Sequence, residues 1–162
     1  MQTGITEEKK LKGLGGWLIL VGLAVIISPF RIIATTFPIY SEIFSSESWK
    51  MLATPGSETY HALWAPILLG EVVINGALVL IWIYIIFLFF IKKKGFPSWY
   101  IGVLVFTLAF MLIDALAIKV VIKDGPLFDP ETGKEFVRTF IGTIIWVPYM
   151  LLSKRVKATF VK

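Results

Sequence analysis

Four apolar runs, residues 15–37, 62–91, 98–121 and 135–152, are each long enough to cross a bilayer, and they constrain this chain more than any other feature. A hydrocarbon core about 30 Å thick asks for roughly 20 apolar residues per helix. In lipid, every backbone N–H and C=O must be satisfied within the protein, which favours helices for separate apolar segments. The expected fold class is therefore all-α, a four-helix transmembrane bundle spanning residues 15–152. Of the 162 residues 57% are hydrophobic, so four spans with short connections leave no room for a soluble catalytic domain. The first run could also be a signal peptide, but it is too long, carries Arg31 near its far end and has no small-x-small cleavage site.

The connections set the topology. Residues 1–14 are polar, with Glu7, Glu8, Lys9, Lys10 and Lys12, and Lys92, Lys93 and Lys94 stop the second run before a Gly95-Phe96-Pro97 turn. Residues 153–162 form a basic tail. Together these segments hold ten of the sixteen Lys and Arg, and of the acids only Glu7 and Glu8. Basic segments stay on the cytoplasmic side, so both termini are expected there, with 38–61 as an outer loop. Within that loop Tyr40, Ile43, Phe44 and Met51 fall near helical spacing, consistent with either a short surface helix or an irregular loop. Trp99 and Tyr100 are expected as interfacial anchors of the third span. A second outer loop follows from the turn residues between Lys123 and Lys134.

The same residues exclude several functions. Without cysteine there is no thiol-disulfide exchange, iron–sulfur centre or thiolate metal site. The formal net charge of +5 lies in clusters beside apolar runs, where it meets lipid headgroups rather than nucleic acid. No phosphate loop, dinucleotide fingerprint, zinc signature or nucleophile elbow is present. Ser28, Thr107 and Thr143 lack a base at a recognisable spacing, and His61, the one histidine, reads as an interfacial residue. No cofactor is expected.

Ionisable side chains within spans are expensive and mark the places to look for function. They are Arg31, Glu71, Asp114 and Arg138, with Asn75 four residues from Glu71 on one helix face. Counted at 1.5 Å per residue from the cytoplasmic end of each span, Arg31, Asn75, Asp114 and Arg138 lie about 21 to 23 Å up, and Glu71 about 28 Å. All four spans thus place polar groups in the outer third. Two readings stand: a structural charge network, or a cavity open to the outer face that binds an ion, a lipid headgroup or a small anion. Arg31 and Arg138 can also snorkel to the headgroups. Pro29 and Pro148 are expected to kink their helices.

The segment Gly-Gly-Trp-Leu-Ile-Leu-Val-Gly-Leu through Ile-Ile-Ser-Pro-Phe-Arg (15–31), Gly-Glu-x-x-x-Asn (70–75), and Ile-Trp-Val-Pro-Tyr with Ser-Lys-Arg-Val-Lys-Ala-Thr-Phe (145–160) together resemble the DUF2569 family of bacterial inner-membrane proteins. The resemblance implies a four-helix protein of that membrane and carries no catalytic or binding assignment. The expected function is a non-enzymatic membrane protein that binds a ligand or serves a membrane-protein partner. Its partners are then the bilayer and a partner or small ligand at the outer face. A small oligomeric transporter or channel is the alternative, and an enzyme acting on lipid or quinone the third reading.

Overall fold

The structure is a computed structural model and describes residues 13–45 and 47–162. Most of the charged N-terminal segment, including Glu7, Glu8, Lys9, Lys10 and Lys12, lies outside the described residues. Among the described residues six helices follow one another: α1 Trp17–Ser45, α2 Glu47–Ala53, α3 Trp64–Phe90, α4 Phe96–Val121, α5 Pro130–Leu152 and α6 Lys154–Thr159. Four of them, α1, α3, α4 and α5, are long and apolar enough to cross a membrane. Their many exposed Leu, Ile, Val and Phe side chains suit a lipid solvent that leaves no reason to bury them.

Helix boundaries depart from the sequence expectation where polarity was taken as a stop. α1 runs unbroken past Pro29 and Pro38 to Ser45 rather than ending near Phe37. Proline leaves the carbonyl four residues earlier without its amide donor. The hydroxyls of Ser28, Thr35 and Thr36 donate to nearby carbonyls of the same helix, Ala24, Arg31 and Ile32 respectively, rather than to those of Val25 and Ala34 that the prolines free. Of the two readings open for 38–61, a short helix is present, α2, but Tyr40, Ile43 and Phe44 belong to α1. α5 begins at Pro130, not near Glu135, because Asp129 caps it by accepting from the amides of Glu131 and Thr132 at 2.9 and 3.1 Å.

α1 packs on α3, α3 on α4 and α4 on α5, whereas α1 and α5 form no extended seam. The α1–α3 contact is made possible by Gly22: a Cβ there would lie 2.9 Å from the Phe89 ring. α3 turns into α4 through a C-terminal motif in which Lys93 N–H reaches the Leu88 carbonyl and Lys92 N–H that of Phe89, at 3.0 and 3.1 Å. This closure requires a left-handed residue, and Lys92 supplies it with φ 57°.

The buried core gathers at the end of the bundle that carries Gly13 and α6, called here the terminal end. The supposed tail is part of it. Ser153 caps α6, and Val156, Thr159 and Phe160 are buried. Phe160 stacks on Phe96 at 4.4 Å and lies 5.8 Å from Phe89. The Lys94 amide donates to the Lys162 carbonyl at 2.7 Å, and Thr159 Oγ1 both accepts from the Gly13 amide and donates to its carbonyl at 3.2 Å. The chain end thus closes the bundle beneath the α3–α4 turn. Tyr100, expected at the interface, is 1% exposed and meets Trp82 edge-on at 5.9 Å, while its neighbour Trp99 faces outward. Consecutive helical residues point about 100° apart, so both cannot face the same surroundings.

Candidate functional site

The polar groups of the spans lie toward the opposite, distal end of the bundle, and they fall into two tiers rather than one network. In the nearer tier, Arg31 of α1 reaches across to α5 and pairs with Glu135 at 2.9 Å. Arg138, one turn along α5, approaches the same carboxylate at 3.5 Å. Two guanidiniums share one acid, so this tier carries a net positive charge. Arg138 is largely exposed, whereas Arg31 and Glu135 are each more than half covered.

The farther tier is acidic. Asn75 Nδ2 donates to the Tyr40 hydroxyl and to the Glu71 carbonyl, each at 2.9 Å, and the Tyr40 hydroxyl donates to Glu71 Oε2 at 3.4 Å. Glu71 and Asn75, four residues apart on α3, thus both meet Tyr40 of α1. Asp114 of α4 lines the same cavity as Glu71. Two carboxyls lining one low-dielectric cavity favour a positive group between them.

A cavity of about 740 Å³ joins the tiers, lined by side chains from all four spans, among them Arg31, Tyr40, Glu71, Asn75, Asp114 and Glu135. On its terminal side lies a second cavity of about 340 Å³, walled by Trp82, Tyr100 and Trp146 and including both Arg31 and Arg138. Arg31, Ile32, Thr107 and Thr139 line both cavities, so the two adjoin at the level of the ion pair. The smaller cavity reaches the surface between α1 and α5, where Ile27 is 55% exposed. Below it the edge-on contact of Trp17 with Trp146, 6.2 Å between rings, closes the gap.

The common depth expected for Arg31 and Asn75 is not observed. Gly22, not Trp17, lies level with the terminal end of α3, because it receives the Phe89 ring. That displaces α1 by about four residues, or 6 Å, and brings Tyr40 rather than Arg31 to Asn75. Tyr40 and Glu135 are therefore the members that sequence reasoning missed. Tyr40 had been placed in a loop, and Glu135 at a helix boundary, although its i,i+3 spacing to Arg138 was a usable signal. Pro29 is buried inside α1 and Pro148 is exposed on α5, both within unbroken helices. Ser28, Thr107 and Thr143 each donate to the carbonyl four residues earlier, at 2.7, 2.8 and 2.8 Å. His61 Nδ1 accepts from the Leu63 amide at 3.2 Å at the start of α3. Among the described residues no group of three or more His, Cys, Asp or Glu is arranged to hold a metal.

An all-helical chain with four apolar helices of spanning length, and charged side chains collected between them, defines a multi-pass membrane protein. More particularly, the model of the DUF2569 family, described as protein of unknown function, matches residues 11–161, and the chain belongs to that family. No curated protein and no solved structure matches it.

Proposed function

We propose that this chain is a non-enzymatic protein of the bacterial inner membrane that binds a ligand in the distal half of its bundle, alone or as an accessory subunit of a larger complex. The observation that carries this reading is the 740 Å³ cavity, into which all four spans contribute polar side chains. A network serving stability alone would be expected to close on itself, because unfilled space in a bundle forfeits packing. The basic clusters support an orientation with both termini in the cytoplasm, which makes the distal cavity face the periplasmic leaflet.

Native mass spectrometry of the full chain released from lipid nanodiscs tests the reading, comparing wild type with Arg31→Gln and Asp114→Asn. A retained non-protein mass that is lost in either variant supports it. Bare protein in all three, with the variants merely less heat-stable, refutes it. The absence of cysteine makes orientation separately testable: a cysteine replacing Lys134 should react with an impermeant maleimide on intact spheroplasts, and one replacing Lys157 should not.

A further inference from the structure

We infer that the ligand is a zwitterionic phospholipid, with its phosphate on Arg31 and Arg138, its ammonium on Glu71 and Asp114, and its chains leaving between α1 and α5. The inference rests on the ligand-binding reading above and names the chemistry of the same site.

The order of charges along the bundle points to this ligand. Following each helix toward the distal end, Arg31 comes nine residues before Tyr40 on α1 and Thr107 seven before Asp114 on α4. On α5, Arg138 lies seven residues toward the terminal end from Glu131, which also lines the larger cavity. The oxygen-bearing groups therefore lie farther out than the arginines on α1 and α5, by about 10 to 14 Å of helix rise, and the long Arg and Glu side chains must span most of that distance, because a single ethylene joins the phosphate and ammonium of the headgroup. A phospholipid of the distal leaflet presents its groups in the same sequence: acyl chains, then phosphate, then ammonium. A purely anionic headgroup would place its outer end against two carboxyls. A simple cation would leave the arginine-bearing cavity without an occupant.

The route in is lateral. The α1–α5 gap opens to lipid beside Ile27, and the smaller cavity behind it offers an aromatic wall with two guanidiniums above it. The ion pair Arg31–Glu135 spans this gap. An entering phosphate joins Glu135 between Arg31 and Arg138, where two guanidiniums to one carboxylate leave a positive charge for it to neutralise.

The test is lipid retention by the full-length protein in detergent, read by native mass spectrometry after adding phosphatidylethanolamine, phosphatidylglycerol or soluble phosphoethanolamine. Wild type should hold phosphatidylethanolamine about tenfold more tightly than phosphatidylglycerol, one charge-assisted contact's worth. The Glu71→Gln/Asp114→Asn variant should lose that selectivity while still holding lipid, and Arg31→Gln/Arg138→Gln should lose both lipids. Selectivity is read on the folded, lipid-bearing fraction, so lowered stability does not mimic the result. Equal or tighter binding of phosphatidylglycerol, or selectivity unchanged by the carboxyl substitutions, overturns the inference while leaving a ligand site in place. Soluble phosphoethanolamine bound in preference to the lipid overturns the lipid source and lateral entry. No retained mass of any kind overturns the ligand-binding reading as well.

Discussion

Replacing Phe160 by Ala should unlatch the chain end from the bundle. Phe160 is 4% exposed, stacks on Phe96 at 4.4 Å and packs near Phe89 at 5.8 Å. Phe→Ala at buried sites costs roughly 3–5 kcal/mol. The site lies at the end of the bundle, where neighbours can settle into the gap, so the lower figure applies. About 3 kcal/mol corresponds to a population of open α6 raised on the order of 100-fold. The remaining ties, the Lys94–Lys162 backbone bond and the Thr159–Gly13 pair, do not replace an aromatic stack. Trypsin reports the opening directly, because Lys154, Arg155 and Lys157 all lie in α6. Cleavage there should accelerate by about that factor while cleavage is slow compared with reclosing. Phe106→Ala, at a position 47% exposed on α4, should leave the rate nearly unchanged. An α6 cleavage rate within threefold of wild type, with a stability loss below about 1 kcal/mol, would show that the chain end is not held by its aromatic packing.

Three further outcomes follow from single contacts. Gly22→Ala places a methyl 2.9 Å from the Phe89 ring. It should cost about 1–3 kcal/mol by overpacking in a denaturation series, and Gly76→Ala, which meets nothing within 4 Å, should cost little. Lys92→Gly relieves a left-handed backbone (φ 57°) and should stabilise by about 1 kcal/mol, seen as a higher thermal midpoint. Asp129 accepts from the Thr132 hydroxyl and from the amides of Thr132 and Glu131, which hold its carboxyl below its ordinary value. A lowered folded value means a contribution that is complete above the ordinary range near 3.9 and lost as pH falls through the folded value. Asp129→Asn keeps the cap and should flatten the midpoint's dependence between pH 5 and 3, whereas Asp129→Ala should lose about 1 kcal/mol at neutral pH.

What the sequence reveals here depends on which solvent a segment meets. The four spans are legible because lipid imposes a length and a composition on any helix that crosses it, and Trp64–Phe90 falls close to the run 62–91. Where helices leave the bilayer that constraint ends. α1 continues to Ser45 through residues whose polarity had suggested a loop, and Tyr40 is carried to Asn75 and Glu71. The site residues on the spans were legible because charge in hydrocarbon is rare, yet their grouping was not. Grouping depends on how far each helix slides along its neighbour, and one contact, Gly22 against Phe89, sets α1 about a turn away from the level assigned by counting. The same argument explains why α6 escaped notice. Six residues rich in Lys and Arg have the composition of a solvated tail, and only Phe160, seated between Phe96 and Phe89, makes them structural. The chain is therefore clamped at its terminal end by aromatic stacking and the Trp17–Trp146 contact. Between α1 and α5, which form no extended seam, Arg31 and Glu135 tie the two helices together at the mouth through which the proposed lipid would enter.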